Sequence, residues 1–209
     1  SRVTPHLIVE CVNKDWVFSD RLTVFVTDSM LMFGVLQSVF HQEWAWHYGT
    51  TNLSLLSYSP SECFLTLPLP LEEIEKEKVF NESISMDKFT ETRRQICRDC
   101  GIGLTAVYNR LHNTNDKSEG ILRLRKLHIE MDNAVAEAYG WTDLDLGHGF
   151  HETKQGIRFT ISERARRVVL DRLLTLNHER YEEEVKSGLH EKKSTKSAVK
   201  GRGKKSLSD

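Results

Sequence analysis

Residues 56–70 read LSYSPSECFLTLPLP, and three of the chain's four prolines (Pro60, Pro68 and Pro70) fall inside them. Ahead of this stretch the sequence is patterned for strands and one helix. Behind it the pattern is almost wholly helical. Ser59-Pro60-Ser61-Glu62 fits a capping box: Ser59 at the N-cap, Pro60 pre-set for the first helical position, Glu62 three residues after the cap. It predicts one short helical turn. Pro68 and Pro70 then impose an extended exit, because proline fixes its own φ and pushes the preceding residue out of the helical region. The stretch reads as a joint between two kinds of structure.

Upstream of the joint, HLIVECV (6–12) and RLTVFVT (21–27) are rich in β-branched residues, with NKD and SD between them as turns. They predict a short antiparallel meander over 6–28. A helix is expected from Met30 to Tyr48, with Ser29 as N-cap and Gly49 as its stop. Met32, Leu36, Val39, Phe40 and Trp44 recur at helical spacing and read as core. TTNLSLLSY (50–58) has no cap and reads as an extended connector.

Downstream, the spacing predicts helices over 71–80, 85–99, 104–112 and 119–139, the last stopped by Gly140. Ser162 caps a final one. Leu124, Leu127, Met131, Val135 and Ala138 form one apolar stripe; Val169, Leu173, Leu176 and Tyr181 form much of another. Such stripes bury against each other. The stretch 147–162 is expected to be a loop with an extended piece at 157–161. The fold class is α+β: a short antiparallel β-sheet with a packed helix, then a mainly α-helical domain. The expected boundaries are 1–70, 71–186 and a basic tail at 187–209.

The chain has 209 residues, 28% charged and 39% apolar, which suffices for one large domain or two small ones. No apolar run approaches a membrane span. The N-terminus lacks both the order of a signal peptide and an initiator Met, so the chain is expected to be the C-terminal piece of something longer. Four scattered cysteines fit a reducing cytoplasm. Charge is uneven: residues 187–209 hold seven Lys/Arg against Glu191 and Asp209. With almost no apolar residues, that tail is expected to be disordered and to add sequence-blind phosphate attraction or solubility.

Chemical motifs are scarce. Cys97 and Cys100 are spaced C-x2-C, and His148 and His151 H-x2-H, which invites a zinc reading. The histidine spacing is shorter than the usual one, and the cysteines sit on a helix end where small core residues also fit. No metal is expected. GIG (101–103) follows a helix rather than a strand, so it is not a dinucleotide fingerprint. HExxH, GxSxG and a Walker loop do not occur, and there is no nucleophile, base and orienter set.

Four strings, in order, are similar to the C-terminal part of the type IIL, MmeI-like family of restriction-modification DNA methyltransferases. They are FGVLQSVFHQEWAWHYG (33–49) running into YSPSECFLTLPLP (58–70), GLTAVYNRLHN (103–113), LRKLHIEMDNAVAEAYGWTDL (124–144) and HETKQGIRFTISERARRVVLDRLLTLNHERY (151–181). The resemblance implies that residues up to Pro70 end a target recognition domain and that the rest is a helical C-terminal domain. It implies a parent enzyme, with S-adenosylmethionine as cofactor, that flips an adenine from duplex DNA and methylates it. The glycine-rich cofactor loop and the Asn-Pro-Pro-Tyr adenine site of such enzymes are not in this sequence. The partners implied are double-stranded DNA and the upstream methyltransferase domain or subunit.

The family reads bases with alternating side chains that match Leu53, Leu55 and Ser57 here. Family members usually carry polar or charged residues at those places. Leucine can touch a thymine methyl but makes no bidentate hydrogen bond. Asn52, Ser54, Ser57, Tyr58 and Ser59 are the polar candidates for DNA contact. From the helical part, Arg93, Arg94, Arg110, Arg123, Arg125 and Lys126 are available, and Arg110, Arg123 and Arg125 are the candidates for phosphate. Arg123 and Arg125 are expected to point away from the apolar stripe. The competing reading is a protein-interaction module that docks on a catalytic subunit without reading DNA.

Overall fold

A computed structural model describes residues 3–52, 55–70 and 74–189. It has an α+β fold. A three-stranded antiparallel sheet combines β1 (Val3–Thr4), β2 (Thr50–Asn52) and β3 (Leu55–Ser57), with β3 in the centre. The helices are α1 (Met30–Gln37), α2 (Val39–Tyr48), α3 (Pro60–Cys63), α4 (Ile74–Ser83), α5 (Met86–Cys100), α6 (Leu104–Leu111), α7 (Glu119–Ala138) and α8 (Glu163–Lys186). A hairpin of β4 (Gly149–Thr153) and β5 (Gly156–Thr160) sits between the last two. No described helix is long and apolar enough to cross a membrane.

The helices from 86 onward follow their local signals. Ser85 and Ser162 cap α5 and α8 by accepting the N–H of Lys88 and Ala165. Gly140, at φ 78°, lets α7 end in a Schellman motif: Trp141 N–H reaches Ala136 O at 2.9 Å and Gly140 N–H reaches Glu137 O at 2.8 Å. All five residues of the α7 stripe are buried, against α1, α4, α5 and α6. On α8, Val169 and Leu173 are buried, but Tyr181 is 57% exposed because α8 runs on past the body.

Ahead of the joint the structure departs from the expectation in three places. Residues 6–28 form no strand. The first part is pinned by side chains instead: Val9 N–H donates to Gln37 Oε1 at 2.8 Å, and Val9 O accepts from Arg93 Nη2 at 2.9 Å. Its backbone groups are spent before a neighbouring strand can use them. The sheet is built from 50–57, the expected connector, with register Thr50↔Ser57, Thr51↔Leu56 and Asn52↔Leu55. The expected single helix over 30–48 is broken at Ser38, which is extended (φ −68°, ψ 164°). Ser38 makes no side-chain cap bond; buried Asp132 of α7 accepts the N–H of Val39 at 2.9 Å in its place.

Side chains from behind the prolines also hold the front. Glu77 of α4 accepts Ser29 Oγ–H at 2.6 Å and Met30 N–H at 2.8 Å, closing the start of α1. Gly34 lets α4 approach, since a Cβ there would lie 2.2 Å from the Phe80 ring. Leu67 and Leu69, beside the buried Pro68 and Pro70, belong to the same core cluster as α1, α5, α7 and α8. Pro60 does start α3, but the capping box is not formed: Ser59 Oγ bonds Ser61 Oγ at 2.8 Å. The expected basic tail from 190 onward lies outside the described residues.

Candidate nucleic-acid interface

The segment proposed for reading runs from the end of β2 to the start of α3. Asn52 stands opposite Leu55 in the hairpin, and Leu53 and Ser54 lie between the strands, outside the described residues. Leu55 and Ser57 are half-buried on the central strand. Ser59 is half-buried at the head of α3.

Tyr58 turns inward. Its hydroxyl bonds His41 Nε2 at 3.0 Å, while His41 Nδ1 bonds Leu36 O at 2.7 Å. A carbonyl only accepts, so Nδ1 carries the proton and Nε2 accepts from Tyr58. Burial lowers the His41 pKa to about 4, which keeps the ring neutral in that role. Burial likewise raises the Tyr58 hydroxyl above its ordinary value. Tyr58 thus ties the end of the hairpin to α2.

The candidate arginines separate. Arg125 is buried and does not point outward: it donates to the carbonyls of Leu111, Arg110, Asn113 and Asp116 at 2.8–3.3 Å. It closes the C-terminal end of α6 and the loop after it, and lies 4.9 Å from the Phe150 ring centre. Arg110 is engaged at the surface, with Asp116 Oδ2 at 2.7 Å and Ser118 Oγ at 3.0 Å. That hydrogen bond from Arg110 holds the Asp116 carboxyl down to about 2. Arg123 is exposed. Arg93 is fully buried, on Glu10 Oε2 at 2.6 Å and Gln37 Oε1 at 3.0 Å. Arg94 also binds Glu10, at 2.7 Å.

The two zinc-like pairs go elsewhere. His148 Nε2 bonds Asp132 Oδ2 at 2.9 Å, and His151 Nε2 bonds Gly147 O at 2.8 Å. Cys97 packs on the core, while Cys100 is exposed and accepts from Arg110 Nη1 at 2.9 Å. Among the described residues no three His, Cys, Asp or Glu are grouped to hold a metal ion.

The sequence reading missed a cavity of about 240 Å³ beside the hairpin. Three of the elements that line it do so by simple periodicity. On β5, Arg158 and Thr160 share one face, and Phe159 of the other face stands 5.6 Å from Arg125. On α2, Glu43 and His47 sit one turn apart with Trp46 between; on α8, Arg166 and Leu170 do the same. Thr51 of β2 joins the lining, so the hairpin and the cavity share a wall. Burial raises the Glu43 pKa to about 7, against the pull of Arg166. His112, also in the wall, accepts Phe159 N–H at 3.1 Å and is held at about 2 by burial and then by the charge of Arg158. Arg158, Arg166 and Glu43 come from separate stretches, and no spacing in the sequence links them.

No family model and no curated protein matches the chain. Among solved structures, one of the type IIL restriction-modification enzyme MmeI in complex with DNA is similar to it, at TM-score 0.48 and 19% identity. The similarity covers 71% of this chain and 16% of that one. A likeness of that size leaves the functional reading resting on this chain's own residues.

Proposed function

We propose that this chain is the DNA-recognition and helical C-terminal part of an S-adenosylmethionine-dependent, adenine-specific DNA methyltransferase from a restriction-modification or phage-defence system. It carries no catalytic set of its own, and methyl transfer belongs to an upstream domain or subunit. The division of labour runs 1–70 for recognition and 71–186 for support. The observation that carries the reading is the ordered set of four family-like strings, which extends over both sides of the joint. Support also comes from the hairpin's position: Thr51 of β2 lines the same cavity as Arg158 and Lys154. Asn52 and Ser54 would contact base edges and Leu55 a thymine methyl, while Ser57, Tyr58 and Ser59 hold the hairpin's exit. Arg123 would touch phosphate from the exposed side of α7.

Fluorescence anisotropy with a labelled duplex tests this. Binding at low salt is expected. No binding by the folded chain at any salt would sink independent DNA recognition.

A second reading has its own observation. Trp16 is 62% exposed, Val17 99% and Val26 98%, and Leu22 and Val24 are also exposed. Such a run of apolar side chains suits a protein partner, here the upstream methyltransferase domain or subunit. Absence of a complex on mixing the two would count against it.

A further inference from the structure

We infer that the cavity between α2, the β4–β5 hairpin and α8 is a phosphate site, with Arg158, Arg166, Thr160 and Glu43 as its ligating groups. The cavity is polar, and three of its donor groups, on Arg158, Arg166 and Thr160, are not fully used among the described residues. Arg158 is half-buried, and its guanidinium makes no ion pair or hydrogen bond among the described residues. Burial lowers its pKa, with no carboxylate to offset it. Arg166 spends one nitrogen on Glu152 O at 2.9 Å, while its Nε is buried and unpartnered among the described residues. The Thr160 hydroxyl, on a residue 6% exposed, is in the same condition. Buried donors left unpaired are costly, so a site that keeps two of them beside an unpaired guanidinium is built for an acceptor.

The donors decide which acceptor. A carboxylate offers two oxygens in one plane. Here the donors come from β5 and α8, and the Glu43 carboxyl faces them from α2, so the ligand needs oxygens in several directions. A phosphate has them. Glu43, poised at about 7, can donate to a phosphate oxygen or accept from a phosphate O–H. Sulfate and a phosphodiester, with no proton to give, keep only the first option, whereas inorganic phosphate or a phosphate monoester has both. The volume, about 240 Å³, is below the roughly 300–1,000 Å³ of sites for drug-sized ligands, which suits a phosphate group rather than a large molecule. That group could belong to a small phosphate compound or to the DNA backbone.

The test uses the full chain and inorganic phosphate, by calorimetric titration and thermal midpoint, with chloride at matched ionic strength and with sulfate as controls. Phosphate is expected to bind and to raise the midpoint through preferential binding to the folded state; a preference of fivefold or more over sulfate is expected of a site for a small phosphate compound, and equal binding of a site for the DNA backbone. Arg158→Gln should weaken it tenfold or more. Thr160→Val should weaken it severalfold while leaving the unliganded protein as stable or more so, because it removes an unpaired buried hydroxyl. A merely structural threonine would not give that pair of results. Undiminished binding by Arg158→Gln would overturn the site, as would no effect beyond chloride.

Competition identifies the source. If phosphate displaces a short duplex and Arg158→Gln weakens both, the group is the DNA backbone. If phosphate binds without disturbing the duplex, it is a small phosphate compound. Phosphate binding without any duplex binding would count against the DNA reading alone. Duplex binding without phosphate binding would count against this site alone.

Discussion

The arginines of the helical body and those of the cavity are chemically alike and differently employed. In the body, Arg125 donates to four carbonyls, and Arg93 meets a carboxylate, an amide, a carbonyl and a hydroxyl, with only its Nε left over. In the cavity, the Arg158 guanidinium has no such partner among the described residues, and Arg166 is half-used. A buried arginine whose terminal nitrogens are all engaged fixes the chain around it. An unsaturated one is a place where something else can bind. Residue type and burial do not separate the two; partner count does.

The sharpest way to break that contrast is Arg93→Met. It strips Glu10, Gln37 and Val9 of their shared donor, and the loss should be about 3–5 kcal/mol in urea unfolding. A loss below about 1 kcal/mol would mean that the buried hub is not what pins the N-terminal segment. Asp132→Ala comes next. It leaves Val39 N–H and His148 Nε2 without their partner, and about 2–4 kcal/mol should go.

Acid attacks the same interior by another route. The folded-state pKa of His41 lies below its unfolded value, so the unfolded chain binds more protons between about pH 4 and 6.5. His41's contribution is therefore complete above 6.5 and lost as pH falls, by about 3 kcal/mol at pH 4. His128, lowered to about 4 by burial, acts in the same direction. His41→Gln should flatten this profile; an unchanged slope would contradict the neutral His41–Tyr58 pair.

The smallest effect belongs to the exposed face. Arg123→Ala should change stability by less than about 0.5 kcal/mol while lowering the salt slope of duplex binding by about 1. A large stability loss with an unchanged slope would reverse its assignment.

Sequence made the helices from 86 onward legible because their stripes and caps are local: Ser85, Gly140 and Ser162 sit where the chain needs them. The break at Ser38 was hidden because the N–H of Val39 is capped by Asp132, 93 residues further on. The strand-like composition of 6–12 misled because Arg93 and Gln37 take the backbone groups that a sheet would use. Arg125 read as a surface cation because its periodicity relative to the α7 stripe says nothing of the loop folded over it. The cavity was invisible for the same reason as the break. Glu43, Arg158 and Arg166 meet only through tertiary structure, although the expected extended piece at 157–161 overlaps the strand that presents two of its donors.

Pro60 starts a helix, and Pro68 and Pro70 lie buried in the packed core. The proposed place for recognition is the hairpin ahead of them, with its neighbouring cavity. The most direct measurement is duplex affinity of the intact chain across a salt series. The account predicts binding at low salt that weakens linearly in log–log form, as counterions are released from each phosphate contacted. Affinity independent of salt, or no binding by a folded sample, would contradict it.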